Sequence, residues 1–327
     1  MTAHKPRTVP ARDIPVPTTV SPQMQALIGA PLRAGWNTIP TTADGWQKLS
    51  QAGLAAAKPN VLAMAERLGV KMERDTIDGV RVFRVTPRAV APENRNRLLV
   101  QIHGGCYVLN PAEAGLPEAI LIAAFGGFNV IAVDYRMPPE AYYPGALDDA
   151  MTVWKSVSSA HDPKRLGIIG TSAGGALVLA MGLRAKRDGL PMPAAIASGT
   201  PMSDGTKTGD TFHTNAMLDN TLVSTDGFCD AALSFYANGH DLSDPMLSPV
   251  NGDLTGFPPV ILTSGTRDLL LSNTVRVHRK LRAAGIVADL HVYEGQSHAH
   301  YLRDDTAPET AEAFNEIAAF FRTHLAA

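Results

Sequence analysis

The segment 166–181 admits few folds. An apolar run, Leu166-Gly167-Ile168-Ile169, leads directly into Gly170-Thr171-Ser172-Ala173-Gly174-Gly175 and then into the helix formers Ala176-Leu177-Val178-Leu179-Ala180-Met181. Strand, Gly-x-Ser-x-Gly turn and helix in that order make a nucleophile elbow. The flanking glycines leave room for a strained reversal that lifts a serine hydroxyl above the sheet, at a helix N-terminus. Ser172 is therefore the candidate nucleophile. The blander reading is a Gly-rich turn in which Ser172 only caps a helix. A dinucleotide fingerprint fails, because Ser172 stands where a glycine is required and no phosphate-loop lysine follows.

An elbow needs a sheet, and from residue 79 onward short β-rich runs alternate with helical stretches, the pattern of a mostly parallel sheet with crossover helices. Strands are predicted at 80–85, 98–102, 129–133, 166–169, 194–197, 260–263 and 288–293, and helices near 112–125, 146–156, 174–187, 272–284 and 308–324. The fold class is α/β. Residues 1–22, with prolines at 6, 10, 15, 17 and 22, read as an extended arm. Residues 23–70 read as helical pieces, one with Met24, Leu27 and Ile28 on a face and one with Leu54, Val61, Leu62 and Met64, with Trp36 and Trp46 between them. The core is expected over 71–202 and 249–327. The intervening 203–248 has no clear strand and is too long for an ordinary connection, so it reads as an insertion able to form a lid with 23–70.

Two further strands end in residues that suit acyl transfer. Leu98–Ile102 runs into His103-Gly104-Gly105-Cys106, a Gly-rich loop whose backbone N–H groups can converge on a tetrahedral oxyanion. Gly105, Cys106 and Ala173 are the expected donors, with Gly104 in the same loop. His103 is expected to brace that loop without moving protons. The run 260–263 leads to Asp268 and the run ending at Tyr293 leads to His298. Both fall just past strand C-termini, where open parallel sheets form crevices, in the order serine, aspartate, histidine. Asp268 would hold the His298 tautomer. His300 is the alternative base, and the pair His298 and His300 the alternative metal ligands, but no third ligand has a recognisable spacing, so no metal is expected.

Composition narrows the function further. The chain has 29 Lys+Arg against 31 Asp+Glu, a net charge of −2, which lacks the basic footprint of a nucleic-acid binder. Two cysteines, Cys106 and Cys229, make no disulfide framework or metal knuckle. Neither a leader nor a span of about 18 apolar residues is visible, so a cytoplasmic protein without membrane contact is expected.

With these residues assembled, the chain resembles the hormone-sensitive-lipase-like (bacterial family IV) branch of α/β-hydrolases over nearly its full length. The resemblance rests on His103-Gly104-Gly105, on Asp134-Tyr135-Arg136-Met137-Pro138-Pro139-Glu140, on the elbow, on Asp268-Leu269-Leu270 and on Gly295-x-x-His298. Thr171 in the elbow is similar to the subgroup that has Thr in place of the commoner Asp, and residues 293–299 are similar to lactone hydrolases within it. The resemblance implies the α/β-hydrolase fold with a two-part helical cap, often a dimer, and cofactor-free hydrolysis of short to medium esters or lactones. It also implies a third glycine where this chain has Cys106, whose side chain is expected to crowd the acyl site and to bar the positive φ open to glycine. Trp36, Phe212, His213 and Met217 are the candidate cleft wall. Ligand-binding relatives that do not hydrolyse have lost the histidine, which is present here as His298, and a third class of function, an interaction module using the arm, is left to activity assays.

Overall fold

The computed structural model describes residues 6–327, so the arm's first five residues, including His4 and Lys5, lie outside the described residues. Its strands are β1 (Lys71–Ile77), β2 (Val80–Thr86), β3 (Leu98–Ile102), β4 (Asn129–Val133), β5 (Leu166–Thr171), β6 (Ala195–Gly199), β7 (Val260–Gly265) and β8 (Ala288–Tyr293). They form one sheet in the order β1-β2-β4-β3-β5-β6-β7-β8, antiparallel at β1/β2 and β2/β4 and parallel thereafter. Seven strands fall where the sequence predicts them. β1 was not expected. Its Lys-Met-Glu-Arg-Asp-Thr-Ile run is charged because it is an edge strand with no buried residue, and it reverses into β2 through Asp78 (φ 48°) and Gly79 (φ 83°). That two-residue loop, with both φ values positive, matches the right-handed twist of a hairpin.

The helices are α1 (Pro22–Ile28), α2 (Ala43–Leu68), α3 (Pro117–Gly126), α4 (Gly145–Ala160), α5 (Ala173–Arg187), α6 (Thr211–Thr214), α7 (Asp230–Ala237), α8 (Leu271–Ala283) and α9 (Pro308–His324). Alternate strand residues feed opposite layers, as the period of two requires. Val100, Ile102, Ile168, Ile196, Val260 and Leu262 pack with apolar residues of α4, α5, α7 and α8, whereas Leu99, Ile169, Ala197 and Ile261 pack with α3 and α9. Both faces are covered, so the central strands carry nearly continuous apolar runs.

Above the C-terminal strand ends, α2 meets the insertion. Trp46 lies within α2 rather than between two helices; its ring stacks on Phe235 of α7 at 5.2 Å and leans on Phe228 at 5.3 Å. Leu62 is 44% exposed and belongs to the outer face of α2. The arm's final residues pack down: Val16 and Val20 join Met24, Ile28 and Ala307 in a small cluster, and Pro15 O accepts a 2.5 Å hydrogen bond from Arg267 Nη2.

Candidate active site

Ser172 stands between β5 and α5 with φ 64° and ψ −120°, a conformation a non-glycine residue keeps only under constraint, at a cost of about 1–3 kcal/mol. The constraint is visible. Its N–H donates to Gly199 O at 2.9 Å, and its carbonyl accepts from Ala176 and Met202 N–H, both at 3.0 Å. The elbow also touches the loop after β3: a Cβ on Gly174 would sit 2.0 Å from Ile102 O, and one on Gly104 would sit 2.6 Å from Thr171 O. Only glycine permits these approaches.

The Gly-rich loop carries φ values of 121° at Gly105, 52° at Cys106 and 64° at Tyr107. The expectation that Cys106 bars positive φ is thus corrected: cysteine takes the left-handed conformation, and close packing holds it there. Its Sγ lies 3.4 Å from Cys229 Sγ, and both thiols are buried. Among the described residues, the N–H groups of Gly105 and Cys106 have no acceptor in the chain. Ala173 opens α5, where an N–H has no intrahelical partner. Behind the loop, His103 Nδ1 lies 2.8 Å from Gly104 O, its ring stacks on Tyr135 at 4.0 Å, and Tyr135 Oη donates to His103 O at 2.9 Å.

Asp268 and His298 meet at the neighbouring strand ends, with Oδ1 to Nδ1 at 3.1 Å. Both are buried. Asp268 Oδ1 also accepts Leu270 N–H at 2.8 Å, while Oδ2 accepts Ser264 Oγ at 3.0 Å and the hydroxyl of Thr200. Burial alone would raise the Asp268 carboxyl, but the charge and hydrogen bond of His298 outweigh it and hold it below the usual carboxylate value. Burial alone would lower His298, but the charge and hydrogen bond of Asp268, with the charge of Asp219, together outweigh that and raise the imidazole. His300 faces elsewhere: Nε2 meets Asn220 Oδ1 at 3.0 Å, and burial followed by the charge of Arg303 takes it down to about 3.

Four residues of this network escaped the sequence reading. Thr200 Oγ1 lies 3.1 Å from His298 Nδ1, just past β6, which sits between the serine and aspartate strands; that position was the available signal. Asp219, in the insertion, accepts four backbone N–H groups, those of Thr221 (2.8 Å) and Leu222 (3.0 Å) on one oxygen and those of Leu269 (2.8 Å) and His298 (3.2 Å) on the other. Asn220 donates to Leu27 O at 2.8 Å and Ala30 O at 3.0 Å. Glu118, at the start of α3, accepts from Thr171 Oγ1 (2.5 Å) and Gln101 Nε2 (3.2 Å), and burial pushes its carboxyl up to about 7.

Ser172, His298, Gly104, Gly105 and Cys106 line one cavity of about 480 Å³, together with Arg33, Ala57, Val61, Leu222, Leu302 and Arg303. Asp268 stands behind His298, outside this lining. The expected wall of Trp36, Phe212, His213 and Met217 is not its lining. Phe212 is buried in the core, Trp36 packs against Gly227, His213 is exposed, and Met217 is 58% exposed. A larger recess of about 600 Å³ lies at the opposite, N-terminal ends of β3 and β4, around Leu98 and Asn129, and shares no residue with the serine cavity.

The family described as alpha/beta hydrolase fold matches residues 99–302. The chain belongs to this family, in its bacterial hormone-sensitive-lipase-like branch. It is 30% identical to an acetyl-hydrolase of Streptomyces hygroscopicus, across 75% of this chain and 82% of that protein. It is 28% identical to an esterase of Acinetobacter venetianus, across 70% and 76%. Among solved structures, esterase E25 superposes with a TM-score of 0.95 at 40% identity, covering 98% of this chain and 99% of the other. An esterase of the bacterial hormone-sensitive lipase family gives 0.79 at 26% identity, covering 94% and 99%. Among the described residues no helix is long and apolar enough to cross a membrane.

Proposed function

We propose that this ester hydrolase works through an acyl-enzyme formed on Ser172. Ser172 Oγ attacks the ester carbonyl while His298 Nε2 takes its proton, and Asp268 keeps the other imidazole proton on Nδ1 and stabilises the imidazolium. Gly105, Cys106 and Ala173 N–H groups hold the oxyanion. His298 then returns the proton to the departing alcohol, and a water, activated in the same way, releases the acid. The observation that carries this reading is the buried 3.1 Å contact of Asp268 with a histidine that faces Ser172's cavity. Lactones reach the same acyl-enzyme, and the helical cap over the cavity would set which esters enter. The same reading takes the protein as a cytoplasmic homodimer, whose mass light scattering measures.

A panel of p-nitrophenyl esters from acetate to decanoate, with lactones followed by pH-stat, tests it. Short to medium esters are expected to turn over, a fluorophosphonate to label Ser172, and Ser172→Ala to lose about 10⁶-fold in kcat. Undiminished hydrolysis by Ser172→Ala overturns the assignment.

A further inference from the structure

Two arginines line the serine cavity, Arg33 before α2 and Arg303 just past the His298 loop. Among the described residues neither guanidinium makes an ion pair or a side-chain hydrogen bond. This contrasts with Arg67, Arg74, Arg81 and Arg136, each of which has a carboxylate. Arg33 is nonetheless held, its guanidinium carbon 4.9 Å from the Phe228 ring centroid, a contact that fixes the group while leaving its N–H donors free. Arg303 is exposed at the cavity mouth, and the protein atoms packed around its guanidinium, then the charge of Arg33, pull it below its ordinary value.

Nothing in the cavity wall offsets this positive charge. Glu118 is the one carboxylate in the lining; it is occupied by Thr171 and Gln101 and held to about 7 by burial. Asp219, outside the lining, supplies part of a countercharge to Arg303 and His298, but its two oxygens are committed to four backbone N–H groups and make no hydrogen bond to the guanidinium. Two like charges near each other with unspent donors are relieved by a bound anion, and the planar fork of a guanidinium matches a carboxylate or phosphate.

We propose that the preferred esters carry a second, anionic group beyond the scissile bond, received by Arg33 and Arg303. This inference rests on the serine-hydrolase reading and names its substrate class. For an acyl-borne carboxylate, water adds across the ester of a dicarboxylic half-ester, releasing the alcohol, the dicarboxylate and one proton. For an alcohol-borne anion the same bond breaks and the charge leaves with the alcohol.

The test compares isosteric pairs by pH-stat: monomethyl glutarate against methyl 5-methylhexanoate for the acyl side, and the butyrate ester of 3-hydroxypropionate against 3-methylbutyl butyrate for the alcohol side. The native enzyme is expected to favour the anionic member of one pair at least 10-fold in kcat/KM, with the ratio shrinking as salt rises. Arg33→Gln and Arg303→Gln should each cut that ratio several-fold, the double variant should abolish it, and Arg33→Lys with Arg303→Lys should retain most of it. Preference for the neutral member in both pairs, or a ratio unchanged in the double Gln variant, overturns the proposal while leaving the hydrolase reading intact. Turnover of p-nitrophenyl esters with none of the four test esters hydrolysed also overturns the proposal alone, whereas failure on all four and on every p-nitrophenyl ester removes the hydrolase reading itself.

Discussion

The sheet edge and the cap wall solve the same problem, presenting side chains to one cavity, by different means. At the edge, Ser172, Asp268 and His298 each leave the C-terminal end of a parallel strand, so hydrogen bonding between β5, β6, β7 and β8 fixes their spacing. In the cap, α2 and the insertion reach the cavity only through tertiary packing, and no strand pairing fixes which of their residues face it. The four aromatic, imidazole and thioether side chains expected to form the wall point elsewhere, whereas Arg33, Ala57, Val61 and Leu222 take their place. Strand registry carries positional information over long separations. Helical caps do not.

The contrast can be broken or sharpened by variants of decreasing effect. Asp268→Asn should cost about 10⁴-fold in kcat, because the tautomer at His298 is lost. It should also move the acid limb of kcat/KM. In the proposed mechanism activity requires neutral His298, whose value is raised above the ordinary 6.5 mainly by the charge of Asp268, so the native profile should fall off from above pH 6.5 and the variant's limb should shift downward. A limb that stays in place would separate the base from Asp268.

Asp219→Asn tests whether a cap residue can behave as an edge residue. Each carboxylate oxygen accepts two N–H groups, so no orientation of an amide satisfies both pairs, and the loops bearing Asp268 and His298 should loosen. A loss of about 10–100-fold in kcat/KM with a lowered Tm is expected; native kinetics would confine Asp219 to the cap.

Glu118→Gln probes the floor beneath the elbow. Folding raises this carboxyl from 4.5 to about 7, so its stabilising contribution is full below pH 4.5 and is lost as pH rises through about 7. Since Gln binds no proton, the Tm difference between variant and native enzyme should move in the variant's favour over that window, and a pH-independent difference would contradict it. The smallest effect belongs to Met217→Ala, expected within about 2-fold in kcat/KM because the residue is 58% exposed and off the cavity. A 10-fold change would restore it to the wall.

What could be read from residues alone follows the same division. The elbow, the Gly-rich loop and the two later strand ends were legible because chemistry-bearing residues sat directly after apolar runs with turn chemistry. β1 was not, since an edge strand without buried residues leaves no apolar alternation, although Asp78-Gly79 marked its hairpin. Thr200, Asp219 and Asn220 were not legible either, since their contacts are with groups brought from distant segments. Cys106 was read correctly as a departure from glycine but wrongly as a bar to left-handed backbone, because packing against Cys229 is a property of the assembled cap.

Asn220 grips the carbonyls of Leu27 and Ala30 and meets His300, while its neighbour Asp219 anchors the turns that carry Asp268 and His298. The insertion is therefore not an interchangeable module. A chimaera that swaps it between relatives must import this Asp-Asn dipeptide together with its N-terminal counterpart, or the contact between Asp268 and His298 will drift out of alignment. Diversification along this lineage should accordingly proceed by single replacements on the cavity lining, with wholesale transplantation selected against.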